Sequence, residues 1–100
     1  MPKVNVSVSH ALETQEAKRR VADAIAQAHR EHGDLASDIS HGWNEETFTF
    51  SFTTYGFAVS GLLEIQSRQA LFHCNLPLAA MMFKGKVEKS VREELSKLLS

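Results

Sequence analysis

Few side chains of this 100-residue sequence have the types and spacing that catalysis requires. His29 and His32 lie one helical turn apart, but two imidazoles are too few for a structural zinc site. Cys74 follows His73, and neighbouring strand residues point to opposite faces, which predicts a small buried thiol rather than a nucleophile. The sequence has no phosphate-binding glycine loop, no nucleophile elbow and no Cys-x-x-Cys pair. We therefore expect no enzymatic activity, no bound metal and no cofactor.

A row of three aromatic residues has the spacing of a base-stacking strand. Phe48, Phe50 and Phe52 alternate with threonine and serine, and such rows stack bases in sheet-based RNA-binding proteins. Those proteins interleave lysine and arginine with the aromatic residues, whereas this strand has only hydroxyl side chains between them. The formal net charge of −1 also gives no general attraction for nucleic acid or an anionic membrane. The row is therefore predicted to pack in the core, and no nucleic-acid partner is expected.

Flexible apolar residues cluster near two lysines in the last third of the chain. This predicted apolar edge consists of Leu78, Met81, Met82, Phe83, Lys84 and Lys86. Methionine adapts to irregular apolar partners, and lysines at the border suit an anionic rim. The same residues could instead cover the open end of the core, and the sequence leaves both interpretations open.

Hydrophobic periodicity predicts the elements that must position these residues. Alternation of apolar and polar residues indicates strands over about 3–8, 36–43, 47–53, 57–65 and 70–76. Helical spacing indicates one helix over 17 to about 32 and an amphipathic stripe over 87–99.

Single residues at the element boundaries refine this pattern. Thr14 is predicted as an N-cap and Gly33 as the left-handed residue after the first helix. Pro77 is predicted as the first residue of the next helix, and Gly61 marks a bend or a close backbone approach. Whether Gly85 kinks one long C-terminal helix or separates two stays open.

The order β-α-β-β-β-β-α with short turns predicts an α+β fold in a single domain, 1–100. We expect a curved antiparallel sheet of about five strands, covered on one face by two helices, a reduced helix-grip-like architecture. Hydrophobic residues make up 43% of the chain and charged residues 23%, an ordinary globular composition. Such a fold can leave a groove between the sheet and the C-terminal helix.

Taken in order, these segments resemble the polyhydroxyalkanoic acid system protein family, small granule-region proteins found beside polyester synthesis genes in bacteria. The matching positions are 6–12, Ala17, Arg20, Trp43, 48–52, 56–61, 76–78 and 83–88. The turn 44–46 differs, because Asn-Glu-Glu replaces an expected glycine-containing turn. The resemblance spans nearly the full chain and brings no catalytic residues with it.

The resemblance implies a non-enzymatic accessory protein of polyhydroxyalkanoate storage. Its expected partner is the polyester granule surface or a granule protein, contacted through the apolar edge. Two alternatives stay open: a module that binds an acyl chain in the sheet–helix groove, and a homodimeric interaction protein of unknown role. We expect a cytoplasmic location because the chain opens with no signal-peptide pattern and no apolar run approaches the ~20 residues of a membrane span. Storage granules as the site within the cytoplasm are what the resemblance implies.

Overall fold

Alternating apolar residues form a five-stranded antiparallel sheet in the computed structural model, which describes residues 3–100. The strands are β1 (Lys3–Ser9), β2 (Ser37–Asn44), β3 (Thr47–Thr54), β4 (Phe57–Ile65) and β5 (Gln69–Asn75). They lie side by side in the order β1-β5-β4-β3-β2. With two helices added, the observed element order confirms the predicted α+β fold class.

The two helices are α1 (Thr14–His32) and α2 (Lys84–Leu98). Two predicted details of α1 are wrong. Glu13 rather than Thr14 occupies the N-cap position, and no side chain caps the helix there. Gly33 has a φ of −61°, because the chain continues right-handed into a short 3₁₀ turn, Gly33–Leu35, rather than reversing through a left-handed residue.

The segment between β5 and α2 also differs in detail from the prediction. Pro77 precedes a 3₁₀ helix, Leu78–Phe83, and has an extended ψ of 153°, so it is not the first residue of that helix. The backbone changes from 3₁₀ to α geometry at Lys84. Gly85 lies inside the first turn of α2, so the change from 3₁₀ to α-helix precedes this glycine.

The core lies between the helices and one part of the sheet. Its buried apolar residues include Val4, Val6 and Val8 of β1, as the alternation predicted. Helix α1 buries Ala17 and Val21 against this cluster. In contrast, no side chain of β2 is buried in the structure. The sheet thus has a covered half around β1, β5 and β4, and a more open half at β3 and β2.

Gly61 confirms the prediction of a close backbone approach. A Cβ added to Gly61 would lie 2.7 Å from the Cβ and 2.8 Å from the Cα of Cys74, and would also meet the backbone of His73. Real Cβ atoms do not approach so closely, so only glycine lets β4 lie this near to β5. Gly61 also pairs with Phe50 of β3 on its other side. The close packing at Gly61 therefore lies in the middle of the sheet, between β3 and β5.

Candidate functional site

The predicted apolar edge is exposed to solvent. Leu78 is 71% exposed, Met81 53%, Met82 82% and Phe83 48%. These four side chains therefore do not cover the end of the core. Monomeric proteins rarely present adjacent large apolar side chains in this way unless the surface binds something.

A small buried residue holds the apolar edge in this position. Ala80 is buried, and its N–H donates a 2.9 Å hydrogen bond to the carbonyl of Pro77. Leu76, just before Pro77, is also buried. With these residues in the core, the larger side chains of the 3₁₀ helix are directed outward on a short, tightly wound segment.

The two lysines of the apolar edge lie at its border. Lys86 is exposed and Lys84 is half-buried. The first turn of α2 has no acidic residue, and neither lysine forms an ion pair within residues 3–100. The border of the edge is therefore positively charged and open to an anionic or polar partner.

A second apolar surface lies in a cavity of about 380 Å³ between the sheet and both helices, called here the sheet–helix groove. Its lining comprises Val21, Ala24, Ile25, Ala28, Phe48, Phe50, Leu63, Phe72, Ser90, Val91, Glu94, Leu95 and Leu98. Phe50 and Phe72 stack at the floor, with ring centroids 5.9 Å apart. The groove that the fold class allowed is thus present in the structure.

A neighbouring cavity of about 400 Å³, called here the basic pocket, continues toward β2. Its lining comprises Ala22, Ile25, Ala26, His29, Arg30, His41, Trp43 and Phe48. The groove and the pocket share Ile25 and Phe48, so they meet at these two residues. The His41 ring lies 5.7 Å from the Phe48 ring between centroids, and the Trp43 ring lies 5.2 Å from it.

The three residues of the aromatic row have different surroundings: Phe48 belongs to the core, Phe50 lines the groove, and Phe52 does neither. Phe48 is buried as predicted, whereas Phe50 and Phe52 are only half-buried. Phe50 forms part of the groove floor because the helices cover β1 and β4 more closely than β3. The prediction of core packing therefore holds fully for Phe48 alone.

His10 and Cys74 have side-chain types that occur in catalytic sites, but their surroundings give them structural roles. The Nε2 atom of His10 lies 2.8 Å from the carbonyl oxygen of Gln66, and its Nδ1 atom accepts a 3.1 Å hydrogen bond from the N–H of Leu12. Both ring nitrogens are thereby used in holding the connection between β1 and α1 against the turn between β4 and β5. Cys74 is buried, and desolvation raises the pKa of its thiol, which makes the reactive thiolate scarcer.

No metal site or membrane span is apparent in the described part of the chain. Within residues 3–100, no group of three or more His, Cys, Asp or Glu side chains is placed to hold a metal ion. His29 instead lines the basic pocket, and the Nε2 atom of His32 lies 3.8 Å from the Oε2 atom of Glu31. Over the same residues, none of the helices is both long enough and apolar enough to cross a bilayer.

Sequence reasoning missed one residue that connects the two helices. Arg20 donates through Nε to Glu16 at 2.8 Å, and its Nη1 reaches the carbonyls of Leu98 at 3.2 Å and Ser100 at 2.9 Å. It therefore fastens the end of α2 to α1. The only signal in the sequence was the place of Arg20 among the positions that carry the family resemblance.

Comparison with known protein families gives a match over nearly the whole chain. The family model described as "Putative polyhydroxyalkanoic acid system protein (PHA_gran_rgn)" matches residues 4–99. A search of curated proteins gave no match. Among solved structures, the crystal structure of TTHA0849 from Thermus thermophilus has 8% sequence identity and a TM-score of 0.38, over 98% of this chain and 92% of that one. A TM-score this low supports no inference about this protein.

Proposed function

The chain belongs to the polyhydroxyalkanoic acid system protein family, and we propose on this basis that it is a non-enzymatic accessory protein of polyhydroxyalkanoate storage. In this proposal it works in the cytoplasm at the granule and attaches to the polyester surface through the apolar edge. The observation that carries the proposal is the exposure of four large apolar side chains within the six residues Leu78–Phe83.

The energetics of the apolar edge suit reversible attachment. Full burial of one such side chain stabilises a complex by about 1.5–3 kcal/mol, and the edge offers several of them at once. Much of this gain is offset by the lost freedom of the bound protein. Binding of this kind needs no lipid anchor and can be released without unfolding.

The lysine border favours a surface that is apolar but not free of charge. A polyester exposes ester oxygens and carries carboxylate chain ends, and both are acceptors for ammonium groups. Lys86 is exposed at the border and is free to approach such groups. The lysines would orient the apolar edge on the surface, whereas the apolar side chains would supply most of the binding free energy.

The experiment is co-sedimentation of the purified protein with polyhydroxyalkanoate granules. Protein-free polymer and native granules are compared for the wild type and for the double variant Met82→Glu, Phe83→Glu. We expect the wild type to pellet with protein-free polymer and the double variant to stay in the supernatant. Wild-type binding to native granules alone would contradict direct attachment and indicate a granule protein as the partner.

Tyr55→Glu is the matched control for this experiment. Tyr55 is 80% exposed and Met82 is 82% exposed, but Tyr55 lies in the turn between β3 and β4. Tyr55→Glu is expected to sediment as the wild type does. Both variants should unfold within about 0.5 kcal/mol of the wild type, because exposed positions contribute little to stability.

A further inference from the structure

We infer that the sheet–helix groove and the basic pocket together form one binding site for a single anionic acyl chain, such as a fatty acid or a hydroxyalkanoic acid. The apolar chain would lie in the groove, and the carboxylate would lie in the basic pocket. This site is separate from the apolar edge and gives the protein a function beyond granule attachment.

The lining of the groove matches the chemistry of an acyl chain. Its lining side chains are apolar apart from Ser90 and Glu94. The face of α1 that borders the groove carries Ala24 and Ala28, and such short side chains leave the space above Phe50 unfilled. A cavity of about 380 Å³ is also in the size range of small-molecule sites.

The two ends of the site differ in charge. His29 and Arg30 on α1 and His41 on β2 line the basic pocket, and no carboxylate lines it. Arg30 forms no ion pair within the part of the chain that the structure describes. The one carboxylate in the lining of the groove is Glu94, on α2, which does not line the basic pocket.

This asymmetry sets the direction of the ligand. A carboxylate at the α2 side would meet Glu94 and be repelled, whereas at the β2 side it would meet the Arg30 guanidinium and the two imidazoles. Guanidinium groups hold carboxylates with charge-assisted hydrogen bonds. The two cavities adjoin at the shared residues Ile25 and Phe48, and in this proposal one molecule extends past these two side chains into both.

The experiment is a fluorescence titration of the protein with dansyl-labelled undecanoate, followed by competition with laurate and with methyl laurate. We expect saturable binding of the probe at one molecule per chain, and displacement by laurate. Methyl laurate has the same chain without the charge, and we expect it to compete about fivefold more weakly. This factor corresponds to the binding free energy of a partly exposed ion pair.

Two variants locate the ligand within the site. Ala28→Phe places a ring in the groove from an exposed position of α1 and should weaken probe binding at least about tenfold. Arg30→Gln should weaken binding of laurate about fivefold and leave that of methyl laurate unchanged. Ala11→Phe and Arg92→Gln are the matched controls, because both residues are exposed and line neither cavity.

The results also separate this proposal from granule attachment. The double variant Met82→Glu, Phe83→Glu should bind the probe as the wild type does, because the apolar edge lines neither cavity. Absence of probe binding by the folded wild type would overturn the acyl site and leave granule attachment untouched. Equal weakening by Ala28→Phe and Ala11→Phe would overturn it too. A third contradicting result would come from sedimentation velocity. If the protein formed a dimer that the probe did not perturb and that Ala28→Phe abolished, the groove would hold a second copy of the chain rather than an acyl chain.

Discussion

The apolar edge and the sheet–helix groove contain similar kinds of side chain but differ in shape and in support. The apolar part of the edge lies on a convex 3₁₀ helix whose large side chains are exposed, with Ala80 alone buried. The groove is concave, and several of its lining residues, such as Val21, Leu63 and Leu95, also belong to the core. A convex surface suits a broad flat partner, whereas a concave one suits a single small molecule.

The two regions should therefore respond differently to mutation. Side chains of the apolar edge contribute little to folding, so changes there should affect binding alone. Residues under the groove hold β3, β4 and β5 together, so changes there should affect both stability and ligand binding. The following predictions use this difference, beginning with the largest expected effect.

Gly61→Ala tests the close packing of β4 on β5 beside Phe50, which lines the groove. Its new Cβ would overlap Cys74 and the backbone of His73, so β4 and β5 must separate. We expect a loss of about 3 kcal/mol in the free energy of unfolding, measured with urea, together with weaker probe binding. Gly42→Ala is the control, because nothing lies within 4 Å of its added Cβ. Equal stability of the two variants would contradict the close approach at Gly61.

Arg20→Gln tests how the two helical walls of the groove are held together. It removes the hydrogen bonds from α1 to the carbonyls of Leu98 and Ser100, and Leu98 lines the groove. We expect a loss of about 1 kcal/mol in unfolding free energy and weaker probe binding, with unchanged attachment to polymer. Arg19→Gln is the control, because the hydrogen bonds of Arg19 go to Glu16 and Asp23 on its own helix. If Arg19→Gln were the more destabilising change, Arg20 would not fasten the helices.

The acid dependence of the ion pairs that Glu16 forms with Arg19 and Arg20 on α1 gives the smallest expected effect. Hydrogen bonds from Arg19 and then Arg20 lower the pKa of Glu16 from 4.5 to about 2. Because the pKa is lowered on folding, the stabilising contribution of Glu16 is complete above pH 4.5 and is lost as the pH falls toward 2. Urea unfolding at a series of pH values should show wild type and Glu16→Gln converging over this range. A difference that stays constant with pH would contradict the prediction.

Much of the fold could be predicted because hydrophobic periodicity is local. The alternation of Val4, Val6 and Val8 is visible within six residues, and it fixes which face of β1 is buried. The errors at Thr14, Gly33 and Pro77 concern where helices begin and end, which the path of the chain through the whole fold decides.

The candidate sites divide in the same way. The apolar edge is contiguous in sequence, so its composition was visible, although its exposure required the structure. The basic pocket was not predicted, because His41 of β2 meets His29 and Arg30 of α1 only after the sheet has formed. Three further statements remain predictions: that the chain is a single domain, the homodimer alternative, and that the protein has no enzymatic activity.

The most direct test of the two-surface account compares Ala28→Phe with the double variant Met82→Glu, Phe83→Glu in one co-sedimentation experiment on protein-free polymer. The measured quantity is the fraction of folded protein in the pellet. The account predicts that Ala28→Phe pellets as the wild type does, whereas the double variant stays in the supernatant. If Ala28→Phe stayed in the supernatant and the double variant pelleted, the groove rather than the apolar edge would be the attachment surface.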